Sequence, residues 1–338
     1  MNTTSIGDMA QAFTLTRRNT DLKAQLQQLT AEVTSGKKAD LAKAVSGDFK
    51  TLAGIEHSLT TLAAYQMANT EAALFTSTLQ NALETTQQVA SDIAPSLAQA
   101  GTNGGTAQVE TIAVDARQKL FSTVSALNVR VGDRYLLSGT ATDQKPISGG
   151  QDLLDALTVA ISGQVTATGV ITAISDWFDA PSGAGGYLDS VYGGAATPLA
   201  PFSIGPQDQA AVSMTAADPT LRNTLKGLAI GAMIAEGALP GDAAGRALMA
   251  KAAGDTLLSS GTDLASLQAN LGTVEGHISD ISTRNAAESS SLEIARNGII
   301  AADPFTAASD LENVRTQLET LYTITARLSR LNLADFLR

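Results

Sequence analysis

Both ends of the chain carry a stripe of apolar residues that recurs in alternating steps of four and three. The N-terminal stripe comprises Leu15, Asn19, Leu22, Leu26, Leu29 and Val33. The C-terminal stripe comprises Leu311, Val314, Leu318, Leu321, Thr325 and Leu328. A mean step of 3.5 residues is the repeat of a coiled-coil seam, so helices are predicted over 8–34 and 304–334. We expect these helices to pair with each other or with other copies, and the two stripes are the candidate assembly interface.

The predicted terminal pair is weak when taken alone. Two helices of this length bury little apolar surface and are marginal without further partners. Asn19 and Thr325 place polar groups in the seams, which lowers stability but can fix register and partner choice. The sequence therefore predicts terminal helices that become ordered when copies of the chain pack around them.

Helical periodicity continues in the middle of the chain, on both sides of residues 141–250. A helical region is predicted from about Ala39 to around Ala94, where Pro95 and then Gly101, Gly104 and Gly105 break it. Its seam comprises Leu52, Ile55, Leu59, Leu62, Gln66, Asn69 and Ala73. A further helix is predicted over 106–131. Helical periodicity returns after Asp242, at Leu264, Leu267, Leu271, Val274, Ile278, Ile281 and Asn285. These segments are expected to form a nested antiparallel arrangement.

Residues 141–250 differ in composition from the rest of the chain. They contain most of the nine prolines and the only tryptophan, Trp177. Helices are predicted over 152–161, 172–178 and 219–236, and strands near 187–192, 199–204 and 210–215. The last two strands are joined by the turn Gly205–Asp208. This segment is predicted to be an inserted α+β domain.

The fold class is therefore mainly α: a long antiparallel helical rod with terminal coiled-coil helices and a small inserted α+β outer domain. The predicted domains are a terminal coiled-coil domain (1–38 and 302–338), a helical rod domain (39–140 and 251–301) and the inserted domain (141–250).

Composition narrows the possible functions. Aromatic residues make up only 4% of the chain, which is poor in the large rings that line small-molecule pockets. The net charge of −11 disfavours nucleic acid or an anionic membrane as a partner. With no cysteine there is no disulfide or thiolate site. The first residues show no basic segment followed by an apolar one, so no cleaved secretory signal is expected.

Candidate catalytic residues are few. His57 and His277 are predicted on helix surfaces without a second ligand at helical spacing, so we interpret both as solvated or packing side chains. No glycine-rich phosphate loop is present. An enzyme site would need a pocket around Trp177, Tyr187 and Tyr192, which we interpret as the small core of the inserted domain. We expect no catalytic residue, no cofactor and no metal.

Three segments give the chain a resemblance to a known family. Ser5–Ala10 leads into a leucine-rich helix that closes at Thr34-Ser35-Gly36, and Arg134–Thr140 reads Arg-Tyr-Leu-Leu-Ser-Gly-Thr. The segment Gln317–Leu331 resembles the terminal coiled-coil helix of alphaproteobacterial members. On these segments the chain resembles the flagellin superfamily, and Arg134–Thr140 is similar to a segment typical of its hook-associated members.

The resemblance implies a fold, a location and partners. It implies paired terminal helices that form an inner tube, a helical second domain and a variable outermost domain. It also implies export through the flagellar type III apparatus with an uncleaved signal, an extracellular place in the flagellum, and a homo-oligomeric ring. The implied partners are flagellin, another hook-associated protein and a cytoplasmic export chaperone.

Two alternatives remain open at this stage. The first is the filament subunit, flagellin itself, although Lys37–Ala44 stands where flagellins carry a segment of the type Arg-Ile-Asn-Ser-Ala-Lys-Asp-Asp-Ala-Ala. The second is a helical adhesin or signalling module, which would not explain the matched seams at the two ends.

Overall fold

A computed structural model describes the backbone of residues 6–336 and the side chains of residues 9–327. The long helices are α1 (Ile6–Ser35), α3 (Lys50–Asn103), α9 (Ala243–Ile300) and α10 (Pro304–Phe336). The shorter ones are α2 (Leu41–Ala44), α4 (Thr106–Leu127), α5 (Gly150–Ala160), α6 (Ala167–Asp179), α7 (Tyr187–Ser190) and α8 (Pro219–Ala235). Antiparallel hairpins pair β1 (Arg130–Val131) with β2 (Arg134–Tyr135) and β3 (Phe202–Ser203) with β4 (Gln209–Ala210). The prediction of a mainly helical chain with a small α+β part is confirmed.

Residue contacts group the chain into two units. Unit 1 comprises Met1–Leu62 and Ala287–Arg338, and unit 2 comprises Ala63–Ala286. The terminal helices α1 and α10 lie in unit 1, whereas helices α4 to α8 lie in unit 2. The finer division into three domains stays a prediction.

Unit 2 is built around α8, a helix that is apolar on almost every side. Asp218 caps its first turn by accepting the Thr220 N–H at 2.8 Å, and Pro219 occupies the first turn. A helix that is apolar all round belongs inside a core. Accordingly, α8 packs against α4, α5 and α6, and its buried side chains include Leu221, Leu225, Leu228, Ile230, Met233 and Ile234.

The aromatic residues of the inserted segment belong to this same core. Trp177 and Phe178 of α6 lie edge to face with their ring centroids 5.0 Å apart, and Phe178 stacks on Tyr187 at 5.5 Å. We expected a separate small core here. Instead, these rings are continuous with the buried side chains of α4 and α8, because α6 packs directly against α8.

Within unit 2, the backbones of α3 and α9 approach each other closely at two glycines. A Cβ atom on Gly101 would collide with the backbone of Lys251, and one on Gly254 would collide with the backbone of Ala98. Because the lower-numbered contact on α3 faces the higher-numbered one on α9, the two helices run antiparallel. This close approach requires residues without a side chain at both positions.

The predicted helix end at Pro95 is wrong. Pro95 lies inside α3, which continues to Asn103. Proline removes one backbone donor, here the partner of the Ser91 carbonyl. Both Pro95 and Ser91 are exposed, so water can satisfy that carbonyl and the helix persists.

The predicted strand near 187–192 is also wrong, since Tyr187–Ser190 form the short helix α7. Tyr187 and Val191 are both buried, which is the helical spacing of four. The Asp189 carboxylate accepts the N–H groups of Gly183 and Gly185, each at 2.8 Å. These backbone donors hold the pKa of Asp189 below its usual value and fix the preceding loop.

Beyond Leu62 the seam predicted on α3 is wrong at Gln66 and Ala73, which are exposed. Asn69 is buried as predicted, and Ala72, Thr76 and Leu79 are the other buried positions. This face meets the β3–β4 hairpin, whose strands are shorter than predicted. The predicted turn at Gly205–Asp208 is present, with the Gly205 N–H donating to the Asp208 carbonyl at 3.2 Å.

Glycine-to-alanine substitutions should have opposite effects at two kinds of position in α9. Gly254→Ala should destabilise the protein by about 1–3 kcal/mol, because the added methyl group forces the backbones of α3 and α9 apart. Gly272→Ala is the matched control: nothing lies within 4 Å of a Cβ there, so the gain is about 0.5–1 kcal/mol. Chemical denaturation followed by circular dichroism measures both, and equal effects at the two sites would contradict the close approach.

Candidate assembly surface

Helices α1 and α10 pack along each other as an antiparallel pair in unit 1. Leu22 of α1 and Leu321 of α10 line the same groove midway along the pair. At its end, Lys37, just after α1, pairs with Ala301, just before α10. The start of α10 is fixed locally, since the Asp303 carboxylate accepts the N–H groups of Phe305 at 2.9 Å and Thr306 at 3.2 Å. The predicted helices at the two ends are therefore present and adjacent.

The C-terminal stripe supplies the buried face of this pair. Val314, Leu318 and Leu321 are 7%, 6% and 7% exposed, and Leu311 is half-buried. Ala307, which the sequence reading missed because alanine gives a weak apolar signal, extends this face and is also buried. Thr325 is exposed, and its hydroxyl donates to the Leu321 carbonyl at 2.8 Å. The side chain of Leu328 and the residue Ser5 lie outside the described residues.

The N-terminal stripe is only partly covered. Its members Leu15, Asn19, Leu22, Leu26 and Leu29 are all half-buried. Val33 is 42% exposed, and the neighbouring Glu32 is half-buried instead. The Glu32 carboxylate accepts the Ala39 N–H at 2.9 Å, which ties the last turn of α1 to the segment that follows it. The role of these stripes in assembly stays a prediction.

The two connections at the end of the pair are tied to each other. The Lys38 N–H donates to the Ile300 carbonyl at 2.8 Å, and the Ala302 N–H donates to the Gly36 carbonyl at 3.0 Å. The Lys38 ammonium also donates to the Ile299 carbonyl at 3.1 Å. Gly36 makes this turn possible with a φ of 66°. This strand-like clasp fixes where α1 and α10 begin to run together.

Apolar side chains are exposed elsewhere on unit 1. Met9, Phe13, Phe305, Tyr322 and Ile324 are between 45% and 84% exposed. An open groove of about 500 Å³ lies between α1 and α10, lined by Arg18, Asp21, Leu22, Gln25, Thr316, Gln317, Thr320, Leu321 and Ile324. Contiguous exposed apolar surface is typical of regions that contact other proteins.

Several threonines on the pair have hydroxyl groups that are already hydrogen-bonded within their own helix. Threonine hydroxyls along both helices donate to the carbonyl four residues earlier, at distances of 2.6 to 3.1 Å. The examples are Thr20, Thr30, Thr320 and Thr323. Because these donors are already satisfied, burying them against another helix carries little desolvation penalty.

The segment Arg134–Thr140 is a structural junction in unit 2. Leu136 and Leu137 are buried in the main core. The backbone of this segment bonds to several distant stretches: the Leu137 carbonyl accepts the Ala216 N–H at 2.9 Å, and the Thr140 N–H donates to the Thr197 carbonyl at 3.0 Å. Gly139, with a φ of 61°, lets this approach occur. The segment thus ties the inserted residues to the helices that flank them.

The two histidines considered as catalytic candidates, His57 and His277, are both exposed. Across the side chains that the structure describes, no three His, Asp or Glu residues gather to hold a metal ion. Burial raises the pKa of the Tyr187 hydroxyl far above its usual range, and this hydroxyl donates to the Ala216 carbonyl at 3.0 Å. Tyr187 is therefore held as a neutral core side chain.

Among residues 6–336, none of the helices has the length and apolar character needed to cross a membrane.

Comparison with known families finds a match at the C-terminal end. Residues 256–337 match the profile of the bacterial flagellin C-terminal helical region. The match covers most of α9 and all of the described part of α10. No curated protein matches the chain at a significant level. The profile match supports the resemblance to the flagellin superfamily that the terminal segments indicate.

Charged substitutions on the buried face of α10 should release the terminal pair selectively. In a Leu318→Asp, Leu321→Asp double variant, hydrogen exchange in α1 should accelerate by at least a hundredfold, since burying an unpaired carboxylate costs several kcal/mol. Exchange in α8 should be unchanged. Asn313→Asp with Thr323→Asp, at exposed positions of α10 outside the groove, is the matched control and should leave α1 protected. Loss of protection in α8 would show that the terminal pair belongs to the main core.

Proposed function

We propose that this chain is a structural subunit of the bacterial flagellum, not an enzyme, and that it polymerises through α1 and α10. The observation that carries the proposal is the half-buried N-terminal stripe, which lies along α10 and still leaves apolar surface uncovered. The match to the flagellin profile, which includes all of the described part of α10, supports it. Copies of α1 and α10 packed side by side cover the surface that one pair leaves open.

The energetics favour order on assembly. Burial of apolar surface contributes about 25 cal/mol per Å² before the entropy of ordering is subtracted. A single helix pair exceeds that entropy by only a small margin, whereas each added neighbour increases the gain without a comparable new cost. Assembly therefore supplies the stability that the terminal pair lacks by itself.

The same weakness suits export and an extracellular site. Terminal segments that are weakly folded in the monomer can pass through a narrow channel and fold on capture. We propose that the chain leaves the cell through the flagellar type III apparatus with an uncleaved signal, and that a cytoplasmic chaperone shields it beforehand.

Within the flagellum we propose the role of the hook–filament junction protein, FlgL. The support is the resemblance of Arg134–Thr140 to the hook-associated members, together with Lys37–Ala44 in place of the flagellin-type segment. In this role the chain forms a homo-oligomeric ring with flagellin on one side and the other hook-associated protein, FlgK, on the other. The assembly contacts are proposed at the two stripes.

The second candidate is flagellin itself, and the matching profile favours it because that profile describes flagellins. Both roles use the same terminal helices for assembly. They differ in where along the flagellum the chain lies.

Gold labelling of intact flagella separates the two roles. A short epitope inserted after Gly163 lies in an exposed loop between α5 and α6, where Val165 is 82% exposed. Motility of the tagged strain is the control for function. The junction role predicts gold only at the boundary between hook and filament, seen by electron microscopy.

Other labelling patterns decide against that role. Gold along the whole filament would identify the chain as flagellin. An unlabelled flagellum, with the tagged protein made and the strain motile, would remove the flagellar proposal altogether. Deletion gives an independent check: the junction role predicts hooks without filaments and flagellin released into the medium.

A further inference from the structure

The segment between α1 and α3 concentrates positive charge in a negatively charged chain. We call residues 37–50 the connector; they contain four of the nine lysines, although the whole chain has a net charge of −11. Lys37, Lys43 and Lys50 are exposed. Among the side chains that the structure describes, no carboxylate forms an ion pair with any of these three ammonium groups. The connector therefore presents cationic groups to solvent.

Hydrogen bonds within the connector order its backbone. The Asp40 carboxylate accepts the Lys43 N–H at 3.0 Å, and the Asp48 carboxylate accepts the Lys50 N–H at 3.0 Å. These bonds direct both aspartates to the backbone instead of to the lysine ammonium groups. Phe49, next to Lys50, is 45% exposed. The connector thus displays lysines and one aromatic ring from an ordered backbone, which lowers the entropy lost when a partner binds.

An acidic groove runs between α3 and α9 in unit 2. One open cavity of about 510 Å³ is lined by residues that include Ser77 and Glu275, and another of about 450 Å³ by residues that include Gln80 and Glu84. Ser77 and Gln80 are neighbours on one face of α3 at a spacing of three, so the two cavities adjoin. We call them together the acidic groove. Among the described residues that line it, Glu84 and Glu275 are the charged ones.

The chemistry of the acidic groove suits a cationic partner. Glu84 is exposed and Glu275 is half-buried, and neither carboxylate forms an ion pair with a described side chain. Most of the other lining residues are serine, threonine, asparagine and glutamine, whose oxygen atoms accept hydrogen bonds from ammonium groups. Ala73 and Ile278 supply a smaller apolar part. Unit 2 as a whole contains 20 Asp and Glu against 10 Lys and Arg, so its field attracts a lysine-rich segment.

We propose that the connector of one copy docks in the acidic groove of a second copy, with its lysines facing Glu84 and Glu275 and with Phe49 on the apolar part. The connector and the groove are different surfaces of the same chain. Such a contact is heterologous, so it repeats from copy to copy and either closes into a ring or continues as a helical polymer. The inference rests on the assembly role proposed above. It adds to that role a contact held by charge, outside the two apolar stripes.

Charge reversal tests the pairing of the two surfaces. In the variant Lys37→Glu, Lys43→Glu, Lys50→Glu, attraction to the groove becomes repulsion, so the amount of the chain in isolated flagella should fall by roughly tenfold or more. The exported variant should accumulate in the medium instead. Adding Glu84→Lys and Glu275→Lys reverses the charge of the groove as well, and incorporation should return to within about threefold of the parent. Immunoblotting of flagella and medium measures both.

The matched control changes the net charge equally at exposed positions outside both surfaces. The variant Arg130→Glu, Lys145→Glu, Lys251→Glu should be incorporated within about twofold of the parent. Circular dichroism of the purified variants establishes that each is folded. Loss of incorporation equal to that of the connector variant would show that net charge alone matters, and it would overturn the proposal.

Photo-cross-linking locates the contact directly. Benzoylphenylalanine in place of Phe49 should form an adduct between two copies in intact flagella, and mass spectrometry should place the cross-link within residues 69–91 or 268–283. A copy tagged after Gly163, expressed together with an untagged copy, distinguishes adducts between copies from adducts within one chain.

The outcomes separate this inference from the assembly role. If the parent chain is absent from flagella, both proposals are wrong. If the chain is incorporated but residue 49 forms no cross-link, or cross-links only within its own chain, elsewhere on a second copy or to another protein, the connector contact is wrong and the assembly role stands. Failure of the reversed groove to restore a folded, exported connector variant would also overturn the contact.

Discussion

Two helices lying side by side can each cover only one stripe of the other, and the pair formed by α1 and α10 is subject to that limit. The contact nearly buries the apolar stripe of α10, at Val314, Leu318 and Leu321. It covers the stripe of α1 only in part, because every described member keeps some of its surface in solvent. This asymmetry is the basis of our proposal that the stability of the terminal pair depends on surface that other copies of the chain supply.

Other features of unit 1 are consistent with this dependence. The clasp between Lys38 and Ile300 and between Ala302 and Gly36 sets where the helices meet without adding to their apolar contact. Threonine hydroxyls bonded within their own helices leave a surface that can be buried at low cost. Phe13 and Phe305 are exposed, and their apolar surface does not stabilise the monomer. A subunit that is completed by its neighbours accounts for all of these features together.

Periodicity in the sequence predicts the helices and the pairing of the two ends, but it predicts the contacts of individual residues poorly. The helix predicted over 219–236 is found at Pro219–Ala235, because Asp218 and Pro219 provide a local start signal. Pro95 misleads, since its effect depends on whether the Ser91 carbonyl faces water, and that is a property of the folded chain. At Val33 the apolar pattern continues into the last turn of α1, but Glu32 is the more buried residue there and Val33 is exposed. Asn69 and Asn285 are visible as polar residues near a seam, but their common acceptor, Ile204, is remote in the sequence and carries no pattern of its own.

If assembly supplies the missing apolar contacts, α1 and α10 are weakly ordered in the monomer and well ordered in the polymer. Amide hydrogen exchange, measured for residues 15–29 of α1 and residues 221–234 of α8 in both states, tests it most directly. The account predicts that in the monomer α1 exchanges at least a hundredfold faster than α8, and that in the polymer this difference largely disappears. If α1 in the monomer is already as protected as α8, the terminal helices need no neighbours and the account is wrong.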